Sequence, residues 1–175
     1  TNRKGVPEKD KFVSDIYLTR LDVEKEGEYL TVPLTNADEN DYSPIFSRDS
    51  EKIYFLSSRE EGKKLWSLNI YGGEPEEIYT FENGISDLQW LNDSTLAYTS
   101  HDGKTLYEQK LEEEKDNTVV VEDSVHWTTK KIYAFNLKDK SIRRLTDNDY
   151  PVGQYAVSQD GRWLITGLQM SPHYP

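Results

Sequence analysis

The chain has 175 residues, a formal net charge of −11 and no cysteine. Because this charge repels nucleic acid phosphates and anionic lipid, we expect neither as a partner, and the absence of thiols excludes disulfides and thiolate chemistry. Aromatic residues make up 12% of the chain and fall mostly in strand-like segments, so we predict a folded protein and not a disordered acidic tract.

The amino-terminal residues predict a tail followed by two strands. Residues 1–12 are polar and contain Gly5 and Pro7, which is typical of a tail or connecting segment with little structure of its own. Apolar patterning predicts strands over residues 13–21 and 29–35. We therefore expect residues 13–42 to form part of a sheet, with its first two strands supplied from elsewhere.

Residues 43–83 predict one complete four-stranded antiparallel sheet. In the third strand the larger apolar residues Trp66, Leu68 and Ile70 alternate with smaller or polar ones, which places them on one face. A sheet of this size buries too little surface to be stable alone, so we expect neighbours of the same kind. The four predicted strands lie around residues 44–47, 53–57, 65–70 and 76–80.

The rest of the chain repeats this pattern with one interruption. Residues 84–150 predict a second sheet of four strands, which carries an insertion at about residues 101–130. We interpret the insertion as a protruding hairpin or a long connection, and its pairing stays open. Residues 151–175 predict the start of a further sheet, with strands near residues 155–157 and 163–166.

Two short motifs recur in a fixed order and define the repeat. From Thr35 to Thr80 is 45 residues, the length of one four-stranded propeller blade, and from Thr80 to Thr146 is 66, which leaves room for the insertion. We therefore predict an all-β chain, a partial β-propeller of about three four-stranded antiparallel blades with an inserted hairpin in the third. The apolar-Thr motif is Leu34-Thr35, Tyr79-Thr80 and Leu145-Thr146, and the turn motif is Ser47-Arg48-Asp49-Ser50, Asn92-Asp93-Ser94 and Ser158-Gln159-Asp160-Gly161.

The sequence contains tryptophans at repeated positions and few motifs that could carry catalysis or bind a metal. The repeat places Trp66, Trp90 and Trp163 at equivalent strand positions, so we predict that all three are in the core. The nearest approach to a Gly-x-Ser-x-Gly nucleophile turn, residues 84–88, lacks the second glycine. The chain's histidines have no metal-ligand spacing, and the acidic run at residues 36–41 lacks a calcium-loop pattern. We predict no catalytic residue, no metal and no cofactor.

One cluster in the insertion is a candidate binding site. Glu122, His126 and Trp127 are close in sequence and combine a carboxylate, an imidazole and a large aromatic ring. Such a combination can form a polar-aromatic pocket for substrate. The alternative is that these residues only pack and hydrogen-bond within the inserted hairpin.

The segment SPIFSRDSEKIYFLSSREEGKKLWSLNIYGGEPEEIYT, residues 43–80, resembles a TolB-like propeller blade. Such a blade has an apolar residue, Ser-Pro-Asp-Gly, an apolar strand, Ser-x-Arg, a strand with an aromatic residue, Gly-Gly and Leu-Thr. Here Ser47-Arg48-Asp49-Ser50 replaces the first turn and Tyr79-Thr80 replaces Leu-Thr. Residues 119–165, with Arg143-Arg144-Leu145-Thr146, are similar to the amino-terminal propeller of the prolyl oligopeptidase family, in its acylaminoacyl-peptidase and dipeptidyl-peptidase-like branch.

The resemblance covers about residues 13–170 and implies a serine peptidase. Its Ser, Asp and His would lie in a carboxyl-terminal α/β-hydrolase domain that is absent here, so we expect this chain itself to be inactive. In this family the propeller covers the active site and helps to hold the amino end of the peptide, which an acidic surface would suit. The implied partners are a peptide substrate and the hydrolase domain, in the periplasm or cytoplasm of a bacterium.

Two other functions stay open at this point. A TolB-type propeller would bind or scaffold other proteins with no peptidase activity. A sugar lyase built on a propeller would need a metal-binding histidine cluster, which the sequence lacks. Because a family propeller of seven or eight blades needs roughly 300 residues, we read the chain as a fragment, and we expect self-association through its exposed blade edges.

Overall fold

A computed structural model describes residues 2–6, 11–25, 28–60, 62–101, 103 and 129–170, with side chains described at 13–22 and from 29 onward within these ranges. This part of the chain is all-β and contains no helix, hence none that could span a membrane. Its strands are β1 (Asn2–Val6), β2 (Lys11–Asp15), β3 (Tyr17–Lys25), β4 (Glu28–Pro33), β5 (Asp41–Phe46), β6 (Lys52–Ser57), β7 (Lys63–Asn69), β8 (Glu76–Phe81), β9 (Ser86–Asn92), β10 (Thr95–His101), β11 (Lys130–Asn136), β12 (Ile142–Arg144), β13 (Val152–Val157) and β14 (Leu164–Leu168).

The chain divides into two compact units, Thr1–Phe81 and Glu82–Pro175. The first contains a four-stranded sheet in the order β5-β6-β7-β8 and the pairs β1-β2 and β3-β4. The second contains a four-stranded sheet in the order β12-β11-β10-β9 and the pair β13-β14. Every pair is antiparallel and joins strands that are consecutive in sequence. The predicted all-β fold with four-stranded antiparallel blades is therefore confirmed.

One segment differs from the prediction, and another lies outside the described residues. Residues 1–12 were predicted as a tail, but the structure places β1 there and pairs Asn2–Val6 with β2, since polar residues can still form a ladder when a partner strand is adjacent. In the second unit β10 ends at His101 and β11 begins at Lys130. Residues 102 and 104–128 lie outside the described residues, so the inserted hairpin stays a prediction.

The core of the first unit is formed where β6 and β7 meet the residue between β2 and β3. Ile16, Ile53, Phe55, Trp66 and Leu68 pack into one cluster of buried side chains. The alternation predicted for β7 therefore exists, and Trp66 and Leu68 share a face. Leu65 on the opposite face is also fully buried, so β7 is covered on both sides and not on one alone.

The core of the second unit corrects one of the tryptophan predictions. Ala97, Ile132, Val152 and Tyr155 form its buried cluster. Trp66 is buried and Trp90 is half-buried, but Trp163 is 71% exposed. Trp163 comes directly before β14, which pairs only with β13 among the described strands, so fewer side chains surround its indole than surround Trp66 in a four-stranded sheet. The prediction that all three are core residues is therefore wrong for Trp163.

The apolar-Thr motif has a physical role in two of its three copies. The backbone amide of Ile16 donates to the Thr35 hydroxyl at 2.9 Å, and that of Ile132 donates to the Thr146 hydroxyl at 3.0 Å. In both copies the residue before the threonine donates its amide to the carbonyl of the same isoleucine at 2.8 Å. Thr80 instead donates to Glu77 at 2.8 Å. The motif thus joins the start of the third strand to the end of the fourth in two repeats.

The turn motif makes the same hydrogen bonds in the first and the second unit. The Ser47 hydroxyl accepts the amide of Lys52, and the Ser158 hydroxyl accepts the amide of Trp163, both at 2.9 Å. Each serine also hydrogen-bonds an aspartate two residues later, which lowers the pKa of Asp49 and of Asp160 below the ordinary value. Both turns need one residue at positive φ, which is Ser50 in the first and Gly161 in the second.

Large apolar side chains are exposed in both units. In β13-β14 and the residues around it they include Trp163, Ile165 and Met170, which are 67–73% exposed. In the first unit Leu21 and Tyr71 are exposed to a similar or greater extent. Exposed apolar faces favour association with other surfaces. The self-association expected from the sequence stays a prediction.

We expect Gly161→Ala to destabilise the second unit. Gly161 has φ +67°, which disfavours an alanine, and an added Cβ would overlap the carbonyl oxygen of Leu91. Backbone strain and overlap together should reduce the free energy of unfolding by about 2–4 kcal/mol in urea titrations. Gly153→Ala is the matched control, because its added Cβ would meet only an ordinary contact at 3.6 Å. Equal effects of the two substitutions would contradict the turn geometry.

Candidate functional site

A buried ion pair lies at the start of the four-stranded sheet in the first unit. The Asp41 side chain is fully buried and accepts a hydrogen bond from the Ser57 hydroxyl at 2.7 Å. The Arg59 guanidinium donates to both oxygens of the same carboxylate, with its Nε 3.1 Å from Oδ1. This bidentate pair joins the first residue of β5 to the connection that follows β6.

The Arg59 side chain is also held by aromatic rings. Its guanidinium carbon lies 5.4 Å from the ring centroid of Trp66 and 5.9 Å from that of Phe55, within cation–π range. In sequence these contacts belong to Ser57-Ser58-Arg59, the Ser-x-Arg of the blade pattern. Since both oxygens of Asp41 are occupied and the side chain is buried, this pair stabilises the blade and leaves no group for a ligand.

The second unit carries a different carboxylate cluster, which is open to solvent. The Asp87 carboxylate accepts from the Thr99 hydroxyl at 2.6 Å, from Lys130 Nζ at 2.8 Å and from the Ser86 hydroxyl at 3.3 Å. All three donors bind the same oxygen, Oδ2. No described residue donates to Oδ1, and half of the side chain is exposed. The cluster therefore fixes the carboxylate while it leaves one oxygen available.

The backbone around Asp87 reinforces this arrangement. Asp87 has φ +55°, in the left-handed region that few non-glycine residues adopt and that is frequent at functional sites. Its carbonyl accepts a short hydrogen bond from the Tyr155 hydroxyl. Burial, with a smaller contribution from the Asp87 charge, raises the pKa of Tyr155, so the phenol stays protonated and remains a donor. The Gln89 side chain connects β9 to β13. Its Nε2 donates to the Tyr155 carbonyl, and its Oε1 accepts from the Val157 amide.

The Asp87 cluster lies at the base of the predicted insertion. His101 and Lys130 are paired across β10 and β11, so the two ends of the intervening segment meet there. Asn148 adds a contact by donating its amide to the Lys130 carbonyl at 3.2 Å. The structure thus places a rigid carboxylate where the insertion leaves the sheet and returns to it.

The binding residues predicted from the sequence, Glu122, His126 and Trp127, all lie outside the described residues. Whether they come near Asp87 is therefore untested. Among the described residues no group of three or more His, Asp and Glu side chains could hold a metal ion.

Sequence reasoning missed Asp87, which lies within residues 84–88, the segment compared with a nucleophile turn. In the ladders Tyr42 pairs with Leu56 and Ser86 pairs with Thr99, and the residue that follows each first member, Ser43 or Asp87, has a positive φ. Asp87 therefore occupies the place in β9 that Ser43 occupies in β5, and no repeat motif marks this position.

Curated relatives of this chain are peptidases. No protein-family model matches it. It is 27% identical over 178 residues to the uncharacterized peptidase YuxL of Bacillus subtilis, an alignment that covers 94% of this chain and 26% of YuxL. It is 26% identical over 115 residues to the lasso peptide isopeptidase AtxE2 of Asticcacaulis excentricus, covering 61% of this chain and 16% of AtxE2. The chain thus spans about a quarter or less of the length of these relatives.

Solved structures show the same fold. A TolB-like protein of Agrobacterium tumefaciens superposes with a TM-score of 0.51 at 17% identity, covering 74% of this chain and 40% of that protein. The uncomplexed acylaminoacyl peptidase of Pyrococcus horikoshii gives a TM-score of 0.54 at 13% identity, covering 95% and 25%. The fold is therefore that of a partial β-propeller with TolB-like blades. Together with the peptidase relatives, this fold confirms the resemblance to the amino-terminal propeller region of the prolyl oligopeptidase family.

We expect Asp41→Asn to destabilise the first unit strongly. Removing one charge of a buried pair leaves the other uncompensated, which should reduce the free energy of unfolding by about 3 kcal/mol. Urea denaturation followed by tryptophan fluorescence measures this, since Trp66 lies beside Arg59. Asp22→Asn is the control, because its pair with Arg20 is mostly exposed and screened by solvent, so the substitution should have little effect. Equal losses would contradict the structural role of Asp41.

Asp87 should contribute stability that depends on pH. Burial opposes its ionisation, but hydrogen bonds from Lys130 and Thr99 outweigh burial and hold the pKa below its ordinary value. Because the pKa is lowered by folding, this stability is complete above about pH 4 and is lost as the pH falls through the folded pKa. Asp87→Asn should therefore destabilise the chain at pH 7, by up to about 1 kcal/mol, and make little difference near pH 2.

Thermal unfolding of wild type and variant across this pH range measures the effect. Asp93→Asn, in an exposed turn of the same unit, is the control and should leave the pH profile unchanged. A constant difference between wild type and Asp87→Asn from pH 7 to pH 2 would contradict the assignment.

Proposed function

We propose that this chain is a noncatalytic propeller region of a prolyl-oligopeptidase-like serine peptidase. In the whole protein it would gate access and help to bind peptide substrates for an α/β-hydrolase domain. Supporting this, 94% of the chain aligns with the peptidase YuxL, and AtxE2 is by name an isopeptidase of a lasso peptide. Because the chain spans only a part of these relatives, the activity and the hydrolase domain belong to the proposal.

The observation that carries the peptide-binding role is the Asp87 oxygen Oδ1, to which no described residue donates. Three donors hold Oδ2, so Oδ1 is already oriented before a ligand arrives, and little side-chain entropy remains to be lost on binding. A peptide amino terminus is a compact ammonium group, which prefers a carboxylate acceptor. The net charge of −11 favours the approach of such a cation.

The insertion would supply the rest of the site. Its two ends meet at the Asp87 cluster, as the pairing of His101 with Lys130 shows. We propose that Glu122, His126 and Trp127 contact the first residues of the peptide from this segment. Glu122 would add a second carboxylate for the ammonium, and Trp127 an apolar surface for a side chain.

A TolB-type binding or scaffolding module is the second candidate. The superposition on the TolB-like protein of Agrobacterium tumefaciens favours it at the level of the fold. Such a module would not need to recognise the amino terminus of a short peptide. Peptide binding through a free amino terminus therefore separates the two functions.

The test uses a tripeptide amide, Ala-Ala-Phe amide, with a free or an acetylated amino terminus. Titration of the labelled chain by NMR should show binding of the free form and a loss of about fivefold or more on acetylation, the range for a hydrogen-bonded charge pair. Asp87→Asn should cause the same loss, whereas Asp93→Asn, an equal change of charge in the same unit, should not. Equal binding of both peptides, or equal effects of both substitutions, would reject the amino-end role and favour the scaffolding module.

A further inference from the structure

The second unit contains a small cavity that the proposed peptide site does not use. Its volume is about 240 Å³, and none of the residues of the Asp87 cluster lines it. It lies between the end of β12 and the start of β14. The side chains that matter for its chemistry are Leu91, Arg143, Leu145, Arg162, Trp163 and Leu164.

Arg143 lies on the core-facing side of its sheet, at the rim of the apolar cluster. It is paired with Ala134 across β11 and β12, and directly opposed residues share a face. Ala134 is only 4% exposed, and Leu145, two residues after Arg143, packs against the buried cluster of this unit. A guanidinium at this position borders apolar surface on one side and solvent on the other.

The charge of Arg143 has no ionic partner among the described residues. The two neighbouring arginines differ in this respect. Arg144 lies 3.3 Å from Asp147, and Arg162 Nε lies 2.7 Å from Asp160. The Arg143 side chain is exposed, so its donors can reach an external acceptor that the described residues do not supply.

Trp163 supplies the apolar wall of the cavity. It is 71% exposed, although the repeat pattern predicts a core position for it. Large exposed aromatic rings next to an arginine are frequent at binding surfaces, because they bury much area with little loss of rotamer entropy. Leu91, Leu145 and Leu164 extend the same apolar surface.

We propose that this cavity binds a carboxylate attached to an apolar group. The Arg143 guanidinium is the bidentate donor to the carboxylate. The apolar part of the ligand packs on Trp163 and Leu164. A peptide that ends in an apolar residue and a free acylated amino acid share this chemistry. The site is independent of the proposed amino-end site.

The test uses N-acetyl-L-phenylalanine and its amide as probes of the intact chain. NMR titration in low salt should show that the acid binds at millimolar concentration. The amide should bind at least about fivefold more weakly. Raising the salt to about 0.5 M should weaken binding of the acid, because the pair is exposed. The indole resonance of Trp163 should shift with the acid.

Two substitutions distinguish specific binding at Arg143 from non-specific attraction to positive charge. Arg143→Gln should reduce the affinity for the acid to that for the amide. Arg144→Gln is the matched control, because it removes the same charge from the adjacent residue, which faces the other side of the strand, and it should have no effect. Equal effects of the two substitutions, equal binding of acid and amide, or no shift of the Trp163 resonance would overturn the proposal.

A second pair of probes separates the two sources of the carboxylate. Acetyl-Ala-Ala-Phe with a free carboxyl terminus is compared with N-acetyl-L-phenylalanine, and its acetyl group removes any contribution from an amino end. Tighter binding of the tripeptide supports a peptide carboxyl terminus as the ligand, and equal binding supports a free acid. Loss of binding when the residues before the phenylalanine are added contradicts a peptide terminus.

Discussion

The four-stranded sheet of the first unit depends on a buried carboxylate, Asp41, at the start of its first strand. Asp41 accepts from a hydroxyl on the second strand and from Arg59, in the connection to the third strand. In the second unit Asp87 accepts from a hydroxyl on the second strand and from Lys130, at the start of the third. The sheets are small and their strands are joined only to sequence neighbours, so contacts beyond the backbone ladder add cohesion. In the second sheet the Thr146 hydroxyl also joins the third strand to the end of the fourth.

The two carboxylates occupy different positions in their sheets and have different surroundings. Around Asp41 the cation is an arginine, which uses both carboxylate oxygens and lies over aromatic rings. Around Asp87 it is a lysine, a single point charge that binds one oxygen. This difference in donor geometry, together with exposure, leaves Oδ1 of Asp87 without a donor among the described residues. Asp41 therefore stabilises its sheet, whereas Asp87 is a candidate binding group.

Most of the fold could be predicted from the sequence, whereas the candidate sites could not. Strand positions follow from alternation and turn residues, which act between neighbours in the chain. Asp87 and Lys130 are 43 residues apart, and Gln89 and Tyr155 are 66 apart, so no local pattern brings them together. The exposure of Trp163 was mispredicted for a similar reason, because equivalence of position in a repeat does not determine which face is covered.

The sequence by itself determined the all-β repeat, its period and the resemblance to a peptidase propeller, because apolar alternation and turn chemistry are local properties. The tertiary structure decided how the shared motifs differ in use. It occupied both oxygens of Asp41 but one of Asp87, gave Thr80 a partner unlike that of Thr35, and left Arg143 without a carboxylate among the described residues. These outcomes depend on distances between remote residues, which folding sets and which sequence spacing does not.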